Sequence, residues 1–529
     1  MTRRHLAVFL MVLGLVGGLV GAVATSGAAT AGTIDWPAYL NGAQHSSYNP
    51  DAVAITPANA ASLTPAWTFN PPGLGTLGNR FISSPTVYQG NIYIGSENGT
   101  FYDIDEATGG VVWSHFIGQQ PKLTCAPLSF ATTATVAPDP STGAPTVYEA
   151  APDGYLYAWD ASTGNQLWRS VVGIPSTTQN DYFNWASATV ANGMVYAGVS
   201  SNCDSPLVQG GLLAFDQSGG GLLARFQTNP TGDLGGSVWS SPMVSSDGSV
   251  YVTTGNQQVH GLLADSESVV RLDGHSLAQT DIFTVPATDR VGDGDFGASP
   301  ASWPADLGGV STPLVGACDK NGKFYALRAS DLSAGSVWVD QLGYSEQQAG
   351  FHSLCIAAAV WDKTNGHLLL ASNATTINGN PTRGSVRAVD PSTGSMLWQT
   401  PLPGSVLGTP ALDGAGVLAV GTADYSGAPN ADYLLDVVTG QVLATLSTGN
   451  AIEFAQPVFA DGYVFVATMG KGLIAYHAPS QAPAPTVTGV SPTSGPAAGA
   501  TSVTVSGTGF TGVKGVSFGS VPASSFSVT

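Results

Sequence analysis

Charge is scarce in this chain: Asp, Glu, Lys and Arg together make up 10% of its 529 residues. Helical surfaces are normally rich in Lys and Glu, so the scarcity argues against a helical protein. The 67 Gly and 34 Pro fit short strands joined by turns instead. Positive charge is scarcer still. With 16 basic against 35 acidic residues, a nucleic-acid partner is excluded, because such binding needs basic stripes that displace counterions. The acidic excess mainly aids solubility, although carboxylates at special positions could hold a hard cation. Only four cysteines occur, Cys125, Cys203, Cys318 and Cys355, and no Cys-x-x-Cys-His is present, so no c-type haem is attached to this chain.

Long apolar runs are also missing, with one exception. Leu6 to Val23 follows Arg3 and Arg4 and precedes small residues, with Ala29-Thr30-Ala31 as an A-x-A cleavage site. Residues 1–31 therefore read as an export signal rather than as structure. Thr2-Arg3-Arg4-His5-Leu6 resembles a twin-arginine signal, which suits export of a folded protein. An uncleaved anchor is the alternative, since the run is just long enough to span a bilayer if glycine is tolerated. Cleavage would leave 14 basic against 35 acidic residues, a net charge of −21. The expected location is secreted or extracytoplasmic, the cell surface included. Export permits disulfides, and of three possible pairings, Cys125 with Cys203 and Cys318 with Cys355 would each link neighbouring repeats.

What is abundant is repetition. Asp105-Glu-Ala-Thr108-Gly109-Gly-Val-Val-Trp113 returns as Asp160-Ala-Ser-Thr163-Gly164-Asn-Gln-Leu-Trp168 and as Asp390-Pro-Ser-Thr393-Gly394-Ser-Met-Leu-Trp398. A weaker copy, Asp436-Val-Val-Thr439-Gly440-Gln-Val-Leu443, lacks the tryptophan. Anchors at the ends of third strands fall at Asp105, Asp160, Asp216, Asp273, Arg328, Asp390, Asp436 and His477, at intervals of 41 to 62 residues. Short strands and glycine turns at this period mean a radial β-array. Eight anchors predict an all-β fold, an eight-bladed β-propeller of four-stranded antiparallel blades over residues 32–477. In the first blade the strands are expected at Ser84–Tyr88, Asn91–Gly95, Thr100–Ile104 and Val111–His115, with Asn98-Gly99 and Thr108-Gly109 supplying the positive-φ turn positions. Blade-end tryptophans suit wedging between sheets, so most of the eleven need only a packing explanation. The last blade supplies three strands, at Pro457–Phe459, Tyr463–Ala467 and Leu473–Tyr476. Its fourth is expected from Leu63–Phe69, which carries an outer-strand tryptophan, Trp67, without three strands of its own. Closure by this N-terminal strand would leave no open sheet edge.

Residues 478–486 are a Pro-rich linker. The following segment, Ser491-Pro492-Thr-Ser-Gly495-Pro and then Val503-Thr-Val-Ser-Gly507-Thr-Gly509-Phe510, resembles the opening of an IPT/TIG immunoglobulin-like domain. Residues 487–529 cover only about half of such a sandwich, so the chain is expected to be a fragment or to carry a poorly ordered tail.

The repeats over residues 36–477 resemble the quinoprotein propeller family. Its members include calcium-dependent alcohol dehydrogenases that use pyrroloquinoline quinone (PQQ), polyvinyl-alcohol dehydrogenases, and non-catalytic outer-membrane assembly lipoproteins. Repeats alone do not separate enzyme from scaffold; positions outside the repeat pattern must. Gly235-Gly236-Ser237-Val238-Trp239 looks like the family segment whose tryptophan lies flat under the quinone, which places Ser237 and Trp239 at the cofactor. Thr253-Thr254-Gly255-Asn256 resembles the family's Thr-Gly-Asn, whose Asn oxygen binds calcium. Gly292-Asp293-Gly294-Asp295-Phe296-Gly297 sits where the family has two aspartates at i, i+2, the second being a general base beside the metal. Lys320, in Asp319-Lys320-Asn321-Gly322, stands where the dehydrogenases place a cation touching the quinone oxygens. Ser200-Ser201-Asn202-Cys203-Asp204 occupies the stretch of a calcium-binding Glu, where Asp204 or Asn202 would substitute, although the aspartate is one methylene shorter. The adjacent-cysteine ring of some members is absent, and Cys125 stands alone there. Each segment also has a plain structural reading: an inter-blade wedge for Trp239, an ordinary turn for Asp-Gly-Asp, a solvated turn for Lys320.

The resemblance implies a secreted dehydrogenase oxidising an alcohol or polyol with PQQ and Ca²⁺. Asp295 would be the base, Lys320 would stabilise charge on the quinone, and electrons would leave to a separate acceptor. The alternative is an exported, non-catalytic propeller that binds a protein or cell-surface partner, with the immunoglobulin-like segment as a second module. A lyase or hydrolase would need a paired-acid motif, and the sequence offers none.

Overall fold

The recurring Asp-x-x-Thr-Gly phrase is the turn between a blade's third and outermost strands. In the computed structural model, residues 33–71, 79–121, 125–126, 128–229, 233–256, 264–345, 348, 354–478, 486–496, 500–508, 510, 516–518 and 521–528 are described. They form eight sheets, each with a four-stranded antiparallel core, arranged as the blades of a propeller. The first blade consists of Thr86–Tyr88, Asn91–Gly95, Thr100–Asp105 and Val111–Phe116. Blades two to seven span residues 135–171, 189–227, 243–284, 301–341, 360–402 and 411–447. The eighth joins Val458–Ala460, Tyr463–Ala467 and Leu473–His477 to Thr64–Phe69, so the N-terminal strand closes the ring as expected. The predicted export signal, residues 1–31, lies outside the described residues, as does most of the linker. Past the linker, Thr486–Ser491 pairs with Thr504–Thr508, and Ser517–Phe518 pairs with Val521–Pro522.

Inner strands are buried on both faces, because each sheet is sandwiched between its neighbours. Asn91–Gly95 is buried at four of five positions, whereas Val111–Phe116 at the rim alternates between exposed and half-buried. At the rim the repeated phrase becomes an inter-blade lock. Trp67, Trp113, Trp168, Trp338 and Trp398 each pack on the turn glycine of the next blade: Gly109, Gly164, Gly220, Gly394 and Gly440. Each indole Nε1 also donates to a carbonyl of that turn or beside it, at 3.0, 3.0, 3.3, 3.2 and 3.1 Å in the same order. Gly164 has φ +71°, and a Cβ there would lie 2.7 Å from Trp113 Cδ2. Conformation and space both require glycine. Where the third blade's outer strand has Ala224 in place of tryptophan, the fourth blade's turn carries Leu277 in place of glycine, and both belong to the same hydrophobic cluster. Bulk has moved across the interface with the total roughly kept.

Around the axis, hydroxyls tie the inner strands together. Ser84 N donates to Thr133 Oγ1 at 3.1 Å, Thr133 N to Ser187 Oγ at 2.9 Å, Ser187 N to Ser241 Oγ at 3.0 Å and Ser241 N to Ser299 Oγ at 2.9 Å. Residues 36–52 run across one face of the disc and bond to its inner strands. Trp36 pairs with Val87, and the carbonyls of Pro37, Ala43, Ser46 and Ser47 accept from Val136, Val244, Trp361 and Leu412. The side chain of Leu40 is fully buried there.

Candidate active site

Up-and-down blades place every second-to-third hairpin and every blade-to-blade connection on the face opposite this N-terminal segment. Five such loops meet. The connection into the fourth blade carries Ser237 and Trp239, and the hairpin after Val250–Thr253 carries Asn256. Asp293 and Asp295 lie between the fourth and fifth blades. Lys320 follows Ser311–Cys318, and Asp204 follows Met194–Ser201. Backbone clasps fix these loops on one another. Gly255 N donates to Ser237 O at 2.8 Å, Gly236 N to Asn256 O at 2.8 Å, and Lys320 N to Asp295 O at 3.0 Å.

The side chains then converge. Trp239 Nε1 donates to Asp295 Oδ2 at 3.0 Å. Lys320 Nζ pairs with Asp295 Oδ1 at 2.8 Å and Asp293 Oδ2 at 3.2 Å, and it lies over the Trp239 ring, 5.2 Å from the centroid. Asn256 Nδ2 donates to Asp293 Oδ1 at 3.1 Å. Asp295 and Lys320 are only 4% and 8% exposed, so their attraction acts with little solvent screening. Gly297 lets the indole lie against the backbone, since a Cβ there would collide with Trp239 and Ile356. On the axis, Trp239 borders a cavity of about 70 Å³ ringed by Ser84, Thr133, Ser187, Ser241 and Ser299.

Burial pushes the Asp295 carboxyl up to about 6; the Lys320 ammonium opposes this, and the charges of Asp293 and Asp204 add to it. Asp204 is raised by burial, partly offset by its bond from Ser201 and by the Lys320 charge. Glu267, behind the cluster, is pushed up to about 7 by burial, and buried Asp319 is raised well above its ordinary range. Three carboxylates, Asp204, Asp293 and Asp295, thus share one ammonium. That surplus of negative charge, with the Asn256 amide beside it, is the donor set a hard divalent cation takes, and the indole offers a flat face to a planar ring. The residues present fit both groups.

Four of the residues read from the sequence, Trp239, Asn256, Asp295 and Lys320, are therefore brought together. The Ser237 hydroxyl accepts from Ser201 N at 3.3 Å and lies 3.5 Å from Ser201 Oγ. Ser201 in turn donates to Asp204, so Ser237 buttresses Asp204 through Ser201. Asp293, which the sequence gives no role beyond being the first of two aspartates at i, i+2, is the bridge between Asn256 and Lys320. Both expected disulfides are present, Cys125–Cys203 with Cα atoms 6.3 Å apart and Cys318–Cys355 with 5.7 Å. The first ties the connection between blades one and two to the Asp204 hairpin of blade three. Asp181 lies beside that bridge, but oxidised sulfurs offer no thiolate to a metal.

Comparison with known proteins agrees with the propeller fold and with the immunoglobulin-like segment that follows it. Residues 36–327 match the PQQ family described as glucose/ethanol/alcohol dehydrogenase, beta-propeller domain; residues 382–484 match outer membrane protein assembly factor BamB, and residues 485–529 match the IPT/TIG domain. A polyvinylalcohol dehydrogenase of Sphingopyxis sp. (strain 113P3) is 26% identical over 343 residues, 56% of this chain and 49% of the relative. One from Pseudomonas sp. is 24% identical over 266 residues, 45% of this chain and 38% of the relative. The matched regions thus span half or less of those relatives' length. Quinohemoprotein alcohol dehydrogenase from Comamonas testosteroni shares the fold, with a TM-score of 0.65 at 18% identity over 84% of this chain and 80% of that one. No helix among the described residues is long and apolar enough to cross a membrane. With more than half of its residues matched by that one family model, the chain belongs to the PQQ β-propeller family of glucose, ethanol and alcohol dehydrogenases.

Proposed function

We propose that this chain is a secreted quinoprotein dehydrogenase that oxidises an alcohol or polyol, using PQQ and calcium and passing electrons to a separate acceptor. The observation that carries the reading is the buried Asp295–Lys320 pair at 2.8 Å, with the Asp295 carboxylate held by the Trp239 indole at 3.0 Å. When bound, the quinone supplies an acceptor for the carbinol hydride, and a divalent cation beside it makes that acceptor more electrophilic. Trp239 offers the flat floor on which the ring is oriented. Asp204, Asp293, Asp295 and Asn256 supply the oxygen donors for the cation. Asp295 takes the alcohol's hydroxyl proton; a carboxyl pushed up to about 6 is ionised at neutral pH yet basic enough to hold that proton. The Lys320 ammonium, paired with Asp293 and Asp295, stabilises negative charge that develops beside it. Substrates of the polyvinylalcohol dehydrogenase relatives support a polyol over a sugar acid or an amine.

The experiment is reconstitution. Protein incubated with PQQ and Ca²⁺ should acquire a quinone absorbance band and reduce an artificial dye in the presence of an alcohol. Asp295→Asn should lose turnover while keeping its melting temperature within a few degrees. Wild-type protein that neither retains the quinone nor reduces dye across a broad alcohol panel would favour the alternative, a non-catalytic surface scaffold to which the IPT/TIG segment is equally suited.

A further inference from the structure

Two residues before its first strand, every blade brings one side chain to the axis, and in blades one to four that side chain is a hydroxyl: Ser84, Thr133, Ser187 and Ser241. A hydroxyl carries one proton and two lone pairs. Each of these four already accepts from the backbone N–H at the same level of the preceding blade. Gln456 N donates to Ser84 at 2.8 Å, Ser84 N to Thr133, Thr133 N to Ser187 and Ser187 N to Ser241. Their four protons have no acceptor among the described residues, and none of the four residues is more than 5% exposed. The remaining positions are engaged otherwise. The Tyr39 hydroxyl, from the N-terminal segment, lies 3.4 Å from Thr409 Oγ1 and bonds to Ser299, while the Gln456 amide meets Leu40 and Ser47. Burial raises the Tyr39 phenol above its ordinary value, so it too keeps its proton. The four hydroxyls and Tyr39 line the axial cavity of about 70 Å³, whose wall toward the candidate active site is apolar: Trp185, Trp239, Ile356, Leu407 and Phe454. One water needs about 10–15 Å³, so a small guest fits. No charged residue lines the cavity. A hard cation would take carboxylate oxygens, and a water would bring two further protons to a wall that already offers four. An alkyl guest would leave four buried donors unsatisfied. Converging donors in a space of low dielectric, with no carboxylate beside them, match negative charge. Neutral donors cannot replace the hydration of a doubly charged ion, which limits the guest to one charge.

We propose that the propeller axis is a binding site for a small monovalent anion of halide size, held by the hydroxyl protons of Ser84, Thr133, Ser187 and Ser241 and closed by Tyr39. The site needs neither quinone nor cation, so it stands or falls apart from the dehydrogenase reading. Its donors come from four blades and its cover from the N-terminal segment, so an ion bound there joins parts of the disc that only the closed ring brings together. Binding to the folded state alone therefore stabilises the whole propeller.

Bromide is the probe. Full-length protein is freed of halide and melted in sodium gluconate, whose anion is too large for the cavity, with bromide replacing gluconate at constant ionic strength. The wild-type melting temperature should rise along a saturating curve, by about 1–3 °C at ten times the dissociation constant. Ser187→Ala/Ser241→Ala, which removes two of the four protons, should show no such rise, whereas Thr133→Ser, which keeps its hydroxyl, should respond as the wild type does. Crystals grown in bromide should give an anomalous peak on the axis among the four hydroxyls. If the double variant does not fold, that peak alone decides. The site is overturned by a wild-type curve that bromide leaves flat, by an equal rise in the double variant, or by axial density without anomalous signal, which would be water.

Discussion

The rim lock makes a quantitative prediction at Gly164. Alanine there must hold φ near +71° and place a Cβ 2.7 Å from Trp113 Cδ2. The left-handed backbone costs an L-residue about 1–2 kcal/mol, and overpacking against an aromatic ring adds about 1–3 kcal/mol. Gly164→Ala should therefore destabilise by about 2–5 kcal/mol. Gly143→Ala isolates the first contribution, because Gly143 has φ +74° and nothing within 4 Å of its Cβ position. Trp113→Ala alone should cost about 3–5 kcal/mol; it empties a site among Tyr93, Phe101 and Trp159 and removes one of the two donors to the Ala161 carbonyl, which keeps the Tyr93 hydroxyl. In the double variant the clash is gone but the backbone cost stays. The combined loss should fall short of the sum by about 1–3 kcal/mol. Urea unfolding followed by tryptophan fluorescence and far-ultraviolet circular dichroism measures all four corners of the cycle. Strict additivity, or a Gly164→Ala cost no larger than that of Gly143→Ala, would refute the steric account of the repeated glycine. The Ala224 and Leu277 interface supports it from within the same chain: where the ring is missing, so is the glycine.

Glu106, 4% exposed at the junction of the first and last blades, is pushed up to about 8 by burial and then by Asp461. Its folded form binds the extra proton between its ordinary value and about 8, so stability should fall as pH rises through that window, by at most about 1.4 kcal/mol per pH unit. Glu106→Gln should flatten the slope of melting temperature between pH 5 and 8, gaining on the wild type as pH rises; parallel slopes would contradict this. Removing residues 60–70 strips the strand Thr64–Phe69 from Leu473–His477 and opens a sheet edge. The truncated chain should lose cooperative unfolding and self-associate, and a peptide of residues 60–70 added in trans should restore a single transition in calorimetry.

Much of this architecture is local and therefore readable in one dimension. A hairpin turn needs a positive-φ residue at a set place, so Thr-Gly and Asn-Gly recur at the blade period and number the blades. Trp67, an outer-strand tryptophan without its own three strands, announces the closing of the ring. The N-terminal plug leaves no such trace. Leu40, Asn41, His45 and Ser47 adopt φ values between 52° and 59°, a conformation that Asn and His visit more readily than most residues but that Leu and Ser do not advertise. Nor does the repeat say which tryptophan meets which glycine, since that contact always crosses to the next blade.

At the site the division is the same. Residue types and their order determined that carboxylates, an amide, an ammonium and an indole would lie on blade-end loops. Only the tertiary structure decided that Asp293 bridges Asn256 to Lys320 and that Ser237 meets Ser201, which in turn bonds Asp204. Side-chain direction depends on the backbone clasps between loops that are distant in sequence, and those contacts exist only once the ring has closed.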